Sequence, residues 1–131
     1  MIRIENKIIK NINGDIIKII DKKNFNNPFE EFYITSINSG AIKAWKIHKK
    51  TNLYIIILEG KIKLVTKFKN NRFKSAILKK NYLNLIKIEK NTLFGFKGLS
   101  SYKSNILVIS EVYHSTEEVI TFPLDHYNYK W

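Results

Sequence analysis

The 131-residue sequence contains no cysteine, which excludes disulfides, thiolate metal ligands and cysteine nucleophiles. Imidazoles are scarce: His48, His114 and His126 are the whole set, and no two lie at HxH or HxxxH spacing. A three-histidine metal centre has no local motif behind it, so no metal and no other cofactor is expected. No apolar run approaches the roughly 20 residues a membrane-spanning helix needs. The opening MIRIENKIIKNING lacks a continuous apolar stretch before a small-residue cleavage site. A cytoplasmic protein with no membrane contact is expected. FGFKG does not have the spacing of a phosphate-binding loop.

Arginine is sparse beside lysine, and this tempers the formal net charge of +12. Clustered Lys and Arg would suit phosphate backbones, but here the lysines are scattered along nearly every segment instead of gathering with aromatics on one face. Nucleic acid is therefore not the expected partner. A basic surface also suits a small anionic ligand, such as a nucleotide carrying a diphosphate.

With 44% hydrophobic residues the chain can bury one core, and residues 1–131 are expected to form a single domain. Short runs of Ile, Val, Tyr and Phe recur between Asn, Gly, Asp and Lys clusters, the pattern of an all-β domain. Strands are predicted at Ile16–Ile20, Glu31–Ile37, Ala41–Lys49, Leu53–Glu59, Lys61–Phe68, Phe73–Leu78, Leu83–Ile88, Leu93–Gly95 and Asn105–Val112. Their spacing favours a jelly-roll β-sandwich or barrel, and no stretch offers a long helix.

Two strands carry information about burial. LYIIILEG, residues 53–60, is apolar on both faces, so it is expected to be covered on both sides, with a second subunit supplying one cover in a homodimer. GKIKLVTKF alternates, placing Lys61, Lys63, Val65 and Lys67 on a face expected to meet solvent. In IKAWKIHKK, residues 42–50, Lys46 and His48 share the side opposite Trp45 and Ile47. If this strand pairs with 53–59 through the turn at 50–52, Lys46 and His48 point into an enclosed polar cavity.

Taken together, SGAIKAWKIHKK, LYIIILEGKIKLV, NTLFGFKGLSS, ILVISEVYHSTEE and FPLDHYNYKW resemble the cupin-type dTDP-4-dehydrorhamnose 3,5-epimerases, above all their short single-domain members. The resemblance spans about residues 30–131. The strand around His48 is also similar to that of the sugar 3,4-ketoisomerases, which carries a His-x-His-Lys pattern. This resemblance implies a dimeric cupin that acts without metal on a nucleotide-linked 4-keto-6-deoxy sugar, in the biosynthesis of surface polysaccharides such as lipopolysaccharide. Proton removal and return next to a ketone needs a positioned base and a cation or donor near the enolate oxygen.

Residue by residue the match departs from the family pattern. The epimerases' Arg-Gly-Leu-His segment falls on Lys43, Ala44, Trp45 and Lys46, so lysine occupies the place of the base. The second histidine of the ketoisomerases falls on His48. The Phe-Ala-His-Gly segment falls on Gly95, Phe96, Lys97 and Gly98, and the proton-donating tyrosine falls on Val108. Lys46 and His48 are therefore the candidate catalytic residues: either Lys46 is the base, its pKa lowered by burial or by neighbouring cations such as Lys43 and Lys97, or, the preferred division, Lys46 stays charged beside the enolate and His48, of ordinary pKa near 6.5, moves the proton. Period two puts Lys43 opposite Lys46, so both reach one ligand only through a bulge or a partner-subunit site.

Lys43, Tyr54, Lys97, Tyr113, His114 and Trp131 are the candidate substrate contacts, Trp131 either stacking on a base or plugging the barrel. Asp125 and His126, adjacent on an extended chain, face apart and form no dyad. The alternative function class is a non-catalytic cupin that binds a sugar or sugar nucleotide, favoured by the missing tyrosine and the substituted histidines.

Overall fold

A computed structural model of the chain describes residues 1–20, 28–81 and 84–131. Strands β1 (Ile2–Glu5), β2 (Lys7–Ile9), β3 (Ile16–Lys18), β4 (Glu31–Ile37), β5 (Ile42–His48) and β6 (Leu53–Glu59) form the first half. Strands β7 (Lys61–Phe68), β8 (Lys74–Lys79), β9 (Asn84–Ile88), β10 (Thr92–Gly98), β11 (Ser104–Ser110) and β12 (Val119–Thr121) form the second, followed by a single 3-10 turn at Leu124–His126. The fold is all-β, as expected. Among the described residues no helix is long and apolar enough to cross a membrane. Leu83, at the start of one predicted strand, lies outside the described residues.

Two five-stranded antiparallel sheets face each other, in the orders β1-β9-β6-β11-β4 and β12-β5-β10-β7-β8, and β2 pairs with β3 apart from them. The core between them joins Leu53, Ile55, Ile57, Ile106 and Val108 of the first sheet to Ile62, Leu64, Leu78 and Phe94 of the second. Gly60 links β6 to β7 at a φ of 82°, and a Cβ there would lie 2.3 Å from the Ser104 Oγ, so neither conformation nor space admits a side chain.

The expected pairing of β5 with β6 does not occur: β5 lies between β12 and β10, whereas β6 lies between β9 and β11. The residues between them carry the chain from one sheet to the other. Thr51, 1% exposed, anchors that crossing: its Oγ1 sits 3.0 Å from the Ser110 Oγ and accepts from the Glu111 and Val112 amides. A hydroxyl held this way satisfies buried backbone groups that a tight hairpin would have paired.

β6 is covered on both faces, but not as expected. Tyr54 and Ile56 pack against Ile4, Ile19, Ile20 and Phe29 of the same chain, so the second cover is intramolecular. On β4, Phe32 and Ile34 are left open, 61% and 63% exposed. The lysine face of β7 is likewise not a bare solvent face: Val65 is fully buried, and the ammonium groups of Lys63 and Lys67 sit over the rings of Tyr129 and Phe73. The segment 122–131 folds back over this face, and long lysine stems lie along its aromatic surface.

Candidate active site

Between the two sheets lies a cavity of about 510 Å³, within the size range of small-ligand sites. Its floor is apolar, built from Leu53, Ile55, Ile88, Ile106 and Val108. Its polar groups come from two facing strands: Glu31, Tyr33 and Thr35 on β4, and Lys43, Lys46 and His48 on β5, with His114 joining from the loop after β11.

A bulge explains how Lys43 joins Lys46 and His48. Along β10, Leu93 faces Ile47 and Phe94 faces Lys46, but the next residue, Gly95, faces Ala44, so Trp45 has no partner opposite. One extra residue reverses the alternation upstream of it. Lys43 therefore lines the cavity, and its Nζ donates to the Ser36 carbonyl at 2.6 Å and to the Thr35 Oγ1 at 3.3 Å. Trp45 is turned outward into the aromatic cluster and is fully buried there.

His48 Nδ1 lies 2.8 Å from the Glu118 Oε2, and Glu118 is 1% exposed. The pairing of β12 with β5 sets Val119 beside His48 and so brings Glu118 to the ring. The other carboxylate oxygen, Oε1, accepts from the amides of Lys50 and Thr51. With both oxygens accepting, His48 donates its Nδ1 proton to Glu118, which leaves the lone pair on Nε2. The ring also stacks on Phe94 at 5.8 Å. Burial lowers the His48 pKa below its ordinary value; hydrogen bonding and charge from Glu118 oppose this, while Lys46 and His114 add to it. A neutral imidazole with a free Nε2 has the protonation state of a general base.

Tyr33 stands on the opposite wall, directly beside Val108 in the pairing of β4 with β11. The chain thus carries a phenol one strand away from the place where the resembling epimerases have theirs. Burial, then the charges of Glu31 and Glu118, raise the Tyr33 pKa, so the phenol keeps its proton and can donate it. Tyr33 and the pairing of Glu118 with His48 escape a reading of the sequence alone. The signal for Tyr33 was the alternation Glu31, Tyr33, Thr35, which marks a polar strand face; Glu118 had no local signal, being 70 positions from its partner.

The other expected contacts are placed as follows. His114 lines the cavity, its amide donating to the Glu31 Oε2 at 2.8 Å. Tyr54 has the opposite phase to Leu53 and Ile55, so it faces the outer cluster and donates its hydroxyl to the Glu111 Oε1 at 2.8 Å. Lys97 is outside the cavity because Phe96 takes the inward position next to it on β10. Tyr113 is 69% exposed, its amide tied to the Glu30 carboxylate. Trp131 packs on Trp45 with ring centroids 5.0 Å apart, on the far side of the sheet from the cavity. Among the described residues no group of three or more His, Asp or Glu side chains is arranged to hold a metal ion.

No family model matches the chain, and no curated protein matches it in sequence. Solved structures match it closely in fold. A dTDP sugar isomerase from Desulfovibrio desulfuricans G20 superimposes with a TM-score of 0.81 at 20% identity, over 95% of this chain and 84% of that one. QdtA, a sugar 3,4-ketoisomerase from Thermoanaerobacterium thermosaccharolyticum solved with TDP, gives 0.78 at 18% identity, over 91% of this chain and 85% of that one. A dTDP-4-dehydrorhamnose 3,5-epimerase from Elizabethkingia anophelis NUHP1 gives 0.78 at 14% identity, over 94% and 75%. The chain therefore has the cupin-like jelly-roll fold on which these sugar-nucleotide isomerases and epimerases are built.

Proposed function

We propose that this protein is an epimerase or isomerase of a nucleotide-linked 4-keto-6-deoxy sugar, working by proton abstraction next to the ketone and without a metal ion. The observation that carries this reading is the buried His48–Glu118 pair set into the wall of a cavity of suitable size. The fold shared with sugar-nucleotide isomerases supports it.

In this reading the His48 Nε2 takes a proton from the carbon beside the ketone, and Glu118 holds the resulting imidazolium. The electrons move onto the carbonyl oxygen as an enolate, which the Lys46 ammonium stabilises. Tyr33, on the facing wall, returns a proton. Return to the same carbon from the other face inverts it; return to the neighbouring carbon, with a proton passing between the two oxygens, moves the ketone. Lys43 and Lys46 at the cavity give the nucleotide diphosphate its countercharge. A homodimer fits the exposed Phe32 and Ile34 on β4, and a cytoplasmic role in surface-polysaccharide sugar synthesis fits the proposed substrate.

The test is proton NMR of the protein with dTDP-, GDP- and CDP-linked 4-keto sugars in deuterated water. Enzyme-dependent loss of the C3 or C5 proton signal supports the proposal. Ligand resonances that are perturbed without exchange assign the protein to the non-catalytic sugar-nucleotide binders instead, and neither effect across the panel rejects the substrate class.

A further inference from the structure

The bulge that turns Lys43 into the cavity has to be held, because an unbulged β5 would return Lys43 to the side of Trp45 and Ile47. Two features hold it. On the β10 side, Gly95 leaves room: a Cβ there would lie 2.5 Å from the Ala44 Cβ and 3.1 Å from both the Ala44 Cα and the Lys43 carbonyl oxygen. Only a residue without a side chain lets β10 close against the bulge.

On the outer side, segment 122–131 grips the bulged residue itself. The Trp45 amide donates to the Phe122 carbonyl at 3.1 Å and the Phe122 amide donates back at 3.0 Å. The indole Nε1 of Trp45 donates to the Leu124 carbonyl at 3.1 Å. Around the ring stand Phe73, Tyr127, Tyr129 and Trp131, with centroids 5.4, 5.9, 5.9 and 5.0 Å away. Trp131, nearest of the four, has a buried Nε1 with no hydrogen-bond partner among the described residues, so it acts on Trp45 by packing alone.

We infer that the aromatic segment 122–131, with Trp131 closing it over Trp45, is a positioning element for the cavity: it holds the β5 bulge and thereby keeps Lys43 on the ligand side. Trp131 touches nothing in the cavity, and its influence on the ligand passes through Trp45 to Lys43. The choice of a nucleoside diphosphate as probe rests on the function proposed above; the coupling of the aromatic segment to the bulge does not.

The experiment is a double-mutant cycle on dTDP affinity, with wild type, Lys43→Ala, Trp131→Ala and the double variant compared by calorimetry, and with melting temperatures recorded for each. Loss of one charge-assisted contact by Lys43→Ala is expected to weaken dTDP binding about tenfold. Trp131→Ala is expected to weaken it similarly, and the double variant to bind no more weakly than Lys43→Ala. A Trp131→Ala protein that binds like wild type, or a double variant whose loss is the product of the two single losses, overturns the inference. If Trp131→Ala melts below the assay temperature, Trp131→Leu replaces it in the cycle with the same expectations.

A ligand-free readout keeps the two proposals separable. The Ala44 methyl and the Gly95 α-protons are close enough for a nuclear Overhauser cross-peak in wild type, and relaxation of the bulge in the Trp131 variant is expected to weaken it. If wild type fails to bind dTDP, the proposed ligand falls while this cross-peak decides the positioning role. A weakened peak supports it, and an unchanged peak overturns it.

Discussion

His48 and Glu118, 70 positions apart, meet at 2.8 Å in the wall of the cavity, imidazole Nδ1 to carboxylate oxygen. Each depends on the other's placement. Without Glu118 the ring would lose its fixed tautomer, and without the ring one oxygen of a buried carboxylate would lose its donor. Glu118→Gln keeps the size of the side chain but offers His48 an amide in place of a carboxylate. Turnover is expected to fall about 10²–10⁴-fold, with circular dichroism unchanged. Deuterium exchange into the keto sugar measures this, and a variant as active as wild type would remove Glu118 from the support of the proposed base.

The same pair sets a pH dependence. The folded-state pKa of His48 lies below its unfolded value, with burial as the main cause. Below about pH 6.5 the unfolded chain therefore binds more protons than the folded one at this position. Stability is expected to be full above that pH and to decline as the pH falls through the window down to the folded pKa. Urea denaturation midpoints between about pH 7.5 and 5 should trace this fall, and His48→Gln should flatten that part of the curve.

Tyr33 and His48 both line the cavity from opposite sheets, so removing the phenol tests whether the two halves of the proposed reaction are separate. In Tyr33→Phe, abstraction by His48 is expected to continue, with solvent deuterium still entering the sugar. Formation of the isomerised product is expected to drop about 10²-fold or more. Exchange and product followed in the same NMR tube decide it: equal loss of both would place Tyr33 in substrate binding instead.

Gly95→Ala places a Cβ within 2.5 Å of the Ala44 Cβ and against the Lys43 backbone. Neither neighbour is the end of a flexible side chain, so the strands must part. Destabilisation of about 1–3 kcal/mol is expected from such overpacking, together with weaker nucleotide binding as Lys43 loses its place. Chemical denaturation and calorimetry on the same preparation test both.

Thr51→Val removes the hydroxyl that accepts from the Glu111 and Val112 amides and pairs with the Ser110 Oγ. The volume is kept, but buried polar groups lose their partner, a change expected to cost about 1–3 kcal/mol. A loss of less than about 1 kcal/mol in urea denaturation would show that these groups find other partners without the hydroxyl.

The residues that declared themselves early did so through period two. The alternation of Lys46 and His48 against Trp45 and Ile47 fixed their faces correctly, and the all-apolar 53–57 stretch marked a strand covered twice. The sequence predicts Leu93–Gly95 where β10 runs from Thr92 to Gly98, because Gly95, Lys97 and Gly98 are weak strand formers that pairing with β7 holds extended. β1 escapes prediction for a different reason: IRIE is only four residues long and gains its strand identity from β9, 85 positions away by the register of Ile2 with Lys87.

Local alternation, charge and composition are properties of neighbouring residues, so an all-β chain with polar groups on one face of β5 could be read directly from their order. Partner choice is not such a property. Which strand lies beside β5, which carboxylate meets His48, which strand supplies a phenol to the cavity and what covers the outer face of β6 depend on contacts between distant segments. Those contacts exist only once both sheets close on a common core. The bulge at Trp45 shows the division most plainly: the order of residues puts Lys43 on the wrong face, and packing of Trp45 and Gly95 across the folded sheet puts it on the right one.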